Sequence, residues 1–171
     1  MPPHVTGQLV FGVLHANPRP APKHAQAATT LGEELGPPFK RGRGGPGGWL
    51  LLDEPEIHLA ADVVVPDLAS WRRERMPEMP VDKAYFVLAP DWVCEVLSPS
   101  TASLDRGDKL KVYAASNVGH VWFVDPEART LEILERDPKG YRLFEVFSGD
   151  AKERAVPFDA IELELGLLWA R

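Results

Sequence analysis

Cysteine occurs once, and Cys94 alone can form neither an internal disulfide nor a cysteine-based zinc cluster. It sits in an apolar run, where a free thiol is ordinary core filling. Long hydrophobic runs are missing as well. None approaches membrane-spanning length, and Pro2 and Pro3 with their polar neighbours break any signal-peptide pattern, so a cytoplasmic protein is expected. Positive charge is in short supply: 19 Lys/Arg against 25 Asp/Glu leave a net charge of -6, which is not the footprint of a protein that coats nucleic acid. What basic character exists comes early, because residues 1–48 hold five Lys/Arg and two Asp/Glu. Its densest part, Phe39 to Gly48 (FKRGRGGPGG), lacks the spacing of a phosphate-cradling Walker loop. It reads as a flexible surface connection whose Lys40, Arg41 and Arg43 can touch a nucleic-acid backbone. No internal repeat is visible. At 171 residues and 44% hydrophobic content, one compact domain spanning 1–171 is expected.

The most informative stretch is Asp91 to Tyr113, DWVCEVLSPSTASLDRGDKLKVY. Trp92 to Leu97 is a short apolar run that reads as a strand, yet it carries one carboxylate, Glu95. An ionised group in that setting must be paired, hydrogen-bonded or bound to a cation. Its neighbour Cys94 points to the opposite face. Ser98-Pro99 breaks the strand, and Ser100, Thr101 and Ser103 offer hydroxyls to cap a helix whose first turn carries Asp105. On that helix Asp105, Lys109 and Tyr113 recur every four residues and share a face, while Lys111 faces away from them. A strand-end acid followed at once by an acid, a base and a phenol makes a polar site between strand and helix.

Upstream, Gln8 to Ala16 reads as a strand with a mid-run glycine, and Lys23 to Leu35 as a helix with Pro22 in its first turn and Gly36-Pro37-Pro38 at its end. Trp49 to Leu52, Glu56 to Leu59 and Val63 to Val65 read as strands. The last is a continuous apolar run typical of a strand covered on both faces, and it delivers Asp67 through Pro66. Trp71 to Pro80 reads as a charged surface excursion, a loop or short helical turn. Downstream, Val118 to Asp125 reads as a buried strand, and Leu131 to Arg136 with Tyr141 to Phe147 as a hairpin turned at Asp137 to Gly140. The tail, Pro157 to Trp169, suits an edge strand or a short helix. Trp49, Trp92, Trp122 and Trp169 read as core. Glu56 and His58 share one strand face; such pairs are usually plain surface, though they can add metal ligands. The order helix, strands, helix, strand from Lys23 to Asp125 is an α/β core with a mixed sheet and flanking helices. Asp67 and Glu95 can converge at one edge of that sheet as hard oxygen donors suited to Mg²⁺ or Mn²⁺.

Ordered blocks carry a family resemblance: V-P-D at Val65 to Asp67, P-D-W-V-C-E-V-L-S-P-S-T at Pro90 to Thr101, D-R-G-D-K-L-K-V-Y at Asp105 to Tyr113, and V-G-H-V-W-F-V-D-P at Val118 to Pro126. Over roughly Gly12 to Trp169 the chain resembles the Uma family of the PD-(D/E)XK, restriction-endonuclease-like superfamily. The resemblance implies an α/β (α+β) fold with an αβββαβ core and a C-terminal β-hairpin extension, and an endonuclease that hydrolyses DNA phosphodiester bonds with Mg²⁺ or Mn²⁺. It sets Asp67 on the acid of the P-D motif and Glu95 on that of the E-x-K motif, as catalytic metal ligands, with a backbone carbonyl near Leu97. Leu97 stands where the pattern has lysine, and Lys109 on the following helix is the candidate replacement. Asp105, Tyr113 and His24, which matches a histidine common in the family, are supporting residues. Among Glu95, Asp67 and Asp105, Lys109 should stay protonated and act as an electrostatic stabiliser. Two copies of one site suit a two-fold symmetric duplex, so a homodimer is expected. The missing motif lysine keeps a second reading open, a catalytically impaired nuclease-fold protein serving as a nucleic-acid-binding or structural module. A third is a small-molecule role on the same scaffold.

Overall fold

The computed structural model describes residues 2–3 and 5–170. A hairpin of β1 (Val5–Val10) and β2 (Val13–Pro18) leads into helix α1 (Pro22–Leu35), which continues as a π-helical turn, Gly36–Lys40. Strands β3 (Trp49–Asp53), β4 (Ile57–Leu59), β5 (Asp62–Val64), β6 (Leu68–Arg72) and β7 (Trp92–Val96) follow. Two short helices, α2 (Ala102–Arg106) and α3 (Asp108–Ala115), precede β8 (His120–Asp125), β9 (Thr130–Asp137) and β10 (Gly140–Ser148). The chain ends in a small ladder of β11 (Lys152–Glu153) and β12 (Leu163–Glu164) and a 3₁₀ turn, Leu165–Trp169. One sheet has the order β10-β9-β8-β7-β6-β3; a smaller one has the order β2-β1-β5-β4. In the large sheet β7 and β8 run parallel, and the other neighbours run antiparallel. A parallel pair needs a crossover, and α2 with α3 supplies it.

The burial of β7 explains the layering. All five of its residues are sealed from solvent. Trp92, Cys94 and Val96 face Ala27, Leu31 and Leu35 of α1 and Phe158, Leu165 and Leu168 of the tail, whereas Val93 and Leu97 face Val112 and Tyr113 of α3 and Ile57, Leu59 and Val64 of the small sheet. Glu95 therefore belongs to the α3 side. Helix α1 forms where the sequence favours it: Pro22 lies in the first turn, where its missing N–H costs nothing, and the Ala27, Leu31, Leu35 stripe buries against the sheet.

Several elements differ from their sequence-based expectation. Gln8 to Ala16 is two strands rather than one, because Phe11 and Gly12 both take positive φ and turn the chain into a hairpin, with the Phe11 amide held by Asp62 at 2.8 Å. The helix after Ser98-Pro99 is broken at Gly107, where a Cβ would lie 2.8 Å from the Ser103 carbonyl oxygen. No side chain caps it; Ser98 instead bonds Ser100 and Thr101 through their hydroxyls. The strand that follows Asp67 and sits between β3 and β7 in the large sheet is β6; Val63 and Val64, read from sequence as a strand covered on both faces, lie in the small sheet instead. Trp71 thus belongs to a central strand, fully buried, with its indole N–H on the Leu88 carbonyl. The basic glycine loop is a folded coil: the Arg43 amide donates to Pro37 and the Gly47 amide to Pro38, both at 2.8 Å. The tail resolves as both alternatives, a short strand and a 3₁₀ turn. The hairpin of β9 and β10 and strand β8 lie where the sequence places them. Among the described residues, no helix is long and apolar enough to cross a membrane.

Candidate active site

The sheet end at which β7 finishes and β6 begins gathers the polar residues. Glu95 is 2% exposed, and its Oε1 accepts from both the Lys109 ammonium and the Tyr113 hydroxyl at 2.5 Å. Lys109, 1% exposed, also pairs with Asp105 at 3.3 Å. The break at Gly107 leaves this i,i+4 contact intact, so the helix face predicted from spacing survives the kink. Ion pairs this deep lose their hydration, and they persist only because each charge has more than one partner.

Burial dominates the electrostatics. It pushes the Glu95 carboxyl from its ordinary value up to about 8; Lys109 opposes that rise, while Asp105 and Asp67 add to it. Asp105 is raised by burial too, against the pull of Lys109. For Lys109, burial disfavours the ammonium, but Glu95 and Asp105 overcome it and raise the pKa. The result at neutral pH is a firmly protonated lysine beside a carboxyl that readily keeps its own proton. Tyr113 is held as the neutral phenol by burial and by Glu95.

Asp67 approaches from the segment before β6. Its Oδ2 accepts the Val96 amide at 2.7 Å and stands 3.4 Å from His24 Nε2 of α1. Burial works against a charged His24, but Asp67 outweighs it and raises the pKa. The His24 Nδ1 is buried without a hydrogen-bond partner. His24, Asp67, Glu95, Asp105 and Lys109 all line one cavity of about 340 Å³. Tyr113 supports it from behind through Glu95.

Other predicted residues lie elsewhere. Lys40 and Arg41 line a neighbouring cavity of about 730 Å³ that shares Pro20, His24, Glu54 and Asp67 with the first; Arg43 lines neither. Glu56 and His58 bond each other at 2.7 Å, and His58 stacks on Tyr85. They line neither cavity and do not join the Asp67–Glu95 group. Leu97 is buried in the α3-side core. Two residues escaped the sequence reading: Glu54, which lines both cavities, and Gln8, a buried amide accepting the Val65 N–H at 2.9 Å. Gln8 left a signal, a polar residue inside an apolar strand. Glu54, in a turn beside Pro55, left none.

Donor chemistry and charge fit a hard divalent cation. Four carboxylates, Glu54, Asp67, Glu95 and Asp105, line the cavity against Arg19 and Lys109, a surplus of negative charge that adds to burial in raising the pKa of Glu95 and Asp105. Among the described residues, however, no group of three or more His, Cys, Asp or Glu stands ready-made as a metal cage. Glu95 is tied to Lys109 instead.

A mixed sheet with an αβββαβ core and buried acids at the shared end of its central strands defines the restriction-endonuclease-like class of nuclease folds. The chain is similar to a solved structure described as a putative nuclease belonging to DUF820 from Anabaena variabilis ATCC 29413, with a TM-score of 0.78 and 21% identity over 95% of this chain and 89% of that one. No curated protein matches it. The chain belongs to the Uma2 family, described as "Putative restriction endonuclease", whose family model matches residues 2–167.

Proposed function

We propose that the protein is a Mg²⁺- or Mn²⁺-dependent endonuclease that hydrolyses DNA phosphodiester bonds. The observation that carries this reading is the convergence of Asp67, Glu95, Asp105 and Lys109 on one cavity at the end of β7. Asp67 and Glu95 would hold the metal, which when bound supplies Lewis-acid polarisation of the phosphoryl oxygen and a water of lowered pKa. The chain's own residues do the rest. The Val96 amide fixes the Asp67 carboxylate, so that its orientation needs no rearrangement. To hold a cation Glu95 would have to be ionised, its proton passing to water, and sharing its charge with the cation would loosen its hold on Lys109. The Lys109 ammonium, kept charged by Asp105, is then free to stabilise negative charge growing on the phosphoryl group. It is too firmly protonated to serve as a general base. Tyr113 and Asp105 position Glu95 and Lys109, and His24 neutralises part of the Asp67 charge.

The decisive experiment incubates pure protein with supercoiled plasmid in Mg²⁺ or Mn²⁺, with EDTA and Glu95→Ala controls. Metal-dependent relaxation or linearisation that disappears in both controls is the expected result; plasmid left intact by the unmutated protein rejects the enzyme. The inert-module reading draws on Leu97 in the motif position and on the near-complete burial of Lys109. It predicts plasmid binding without cutting. Duplex cutting by a homodimer is checked by light scattering at tens of micromolar, where a monomer leaves nicking of one strand as the activity.

A further inference from the structure

The larger cavity beside the metal-competent one has features that the hydrolytic cluster does not use. Its lining includes the apolar Ala28, Leu51 and Leu68, the two leucines buried, and the exposed Lys40 and Arg41. Among the described residues neither cation takes part in an ion pair, in a chain with an acidic surplus. The backbone that carries them is held in place. The π-helical turn carries Lys40, the Arg41 amide donates to Gly36 at 3.2 Å, and the glycine coil closes back on Pro37 and Pro38. That closure requires glycine at Gly45, where a Cβ would sit 2.5 Å from the Pro38 Cβ and 2.9 Å from its carbonyl oxygen. Carboxylates share the cavity, among them Asp53 and Glu54. They repel phosphate and accept from donors such as the amino groups on base edges or the hydroxyls of a sugar.

A basic edge at Lys40 and Arg41 and, with the proposed cation bound, a phosphate site at the Asp67–Glu95 cluster, separated by an apolar, acceptor-edged chamber, would match the repeat of a nucleic-acid strand: phosphate, nucleoside, phosphate. A volume of about 730 Å³ is of the size that encloses a small-molecule ligand, whereas a double helix is roughly 20 Å across by general geometry and cannot seat one paired base in a chamber under a helix. We propose that this cavity is a subsite for one unpaired nucleotide next to the scissile phosphate, with the flanking phosphate on Lys40 and Arg41, so that the substrate strand is single-stranded or locally unpaired where it crosses α1. The proposal rests on the nuclease reading and specifies its substrate.

The test measures binding, not turnover. A fluorescein-labelled single-stranded DNA 12-mer and its duplex are titrated with protein in Ca²⁺, followed by anisotropy. Single-stranded DNA should bind about tenfold or more tightly than duplex. Lys40→Ala with Arg41→Ala should remove about tenfold or more of the single-strand affinity, as two charge-assisted contacts predict. Thr29→Trp, at an exposed position lining the cavity, should do the same by filling it. Gly45→Ala, which displaces the coil, should weaken single-strand binding while circular dichroism stays unchanged. Equal or tighter duplex binding overturns the subsite, as does single-strand binding indifferent to the paired alanine and Thr29→Trp changes. Plasmid cleavage lost in Glu95→Ala but untouched in the Lys40/Arg41 variant sinks the subsite alone. Failure to bind either oligonucleotide, together with no cleavage, sinks the nuclease reading with it.

Discussion

Cys94 and Glu95 are adjacent, equally hidden from solvent, and members of the same strand, yet they face two different kinds of interior. On the Cys94 side, Trp92, Trp122 and Phe158 meet edge to face with ring centroids 5.0–5.7 Å apart, and α1 closes over them. On the Glu95 side, the same strand presents a carboxyl to a lysine, an aspartate and a phenol. The aromatic side lowers free energy by burying apolar area and has nothing to titrate except a thiol that burial keeps protonated. The charged side holds groups out of water that would rather be solvated or neutral. The first interior is what makes the second tolerable: a rigid sheet keeps Glu95, Asp67 and Lys109 together against their own electrostatic cost.

The comparison predicts that the two sides fail differently. Phe158→Ala should give the largest effect, a stability loss of about 3–5 kcal/mol from the cavity left among the tryptophans, with cleavage per folded molecule little changed below the melting transition. If activity falls as far as stability does at a temperature where the variant is folded, the two interiors are not separable. Lys109→Met should do the reverse. Cleavage should drop about 10²-fold, on the order of 2.7 kcal/mol in the barrier, measured on a variant shown to be folded. Glu95 survives the loss of its partner because it can remain a neutral acid.

The same carboxyl gives the metal-free protein a pH signature. Its pKa is near 8 in the folded state and ordinary in the unfolded one, so from about pH 4.5 upward the unfolded chain sheds a proton that the native state retains. Stability should therefore decline as pH rises through this window, rather than improve as it does for a carboxylate with a depressed pKa. Glu95→Gln should flatten the decline, gaining at least about 1 kcal/mol, or ~2–4 °C in Tm, on the unmutated protein between pH 5 and 8. Parallel melting curves across that range would show that Glu95 is ionised throughout.

Much of this arrangement was legible in the residues. Glu95 stood out because a carboxyl among hydrophobes needs a partner, and the four-residue spacing of Asp105, Lys109 and Tyr113 supplied one. Helix α1 announced itself by Pro22 and its apolar stripe. Strand β6 did not: Leu68 to Arg72 contains a serine that is buried only because its hydroxyl donates to the Leu50 carbonyl at 2.9 Å, and its Trp71 adjoins a run of arginines that reads as surface. The side chain of Arg72 in fact lies over the Trp49 ring at 4.3 Å. The break at Gly107 and the closed coil at Gly45 depend on backbones approaching each other, which composition does not encode. Glycine-rich sequence has the same look whether it is loose or tightly folded.

The smallest expected effect is also the sharpest check on the charged interior, because it sits two residues from its centre. Lys111 carries the same charge on the same helix as Lys109, and its nearest acid, Asp108, is 3.5 Å away with both side chains at least half exposed. Water screens that pair, and holding two long side chains together costs entropy, so Lys111→Met should change stability by less than about 0.5 kcal/mol and cleavage hardly at all. Lys109 and Lys111 differ in direction, not in chemistry. If helix charge in general attracted the substrate, both substitutions would weaken cleavage alike and added salt would erase the difference. If Lys109 acts from the buried cluster, the two rates stay about two orders of magnitude apart, and the gap persists at an ionic strength that screens the surface.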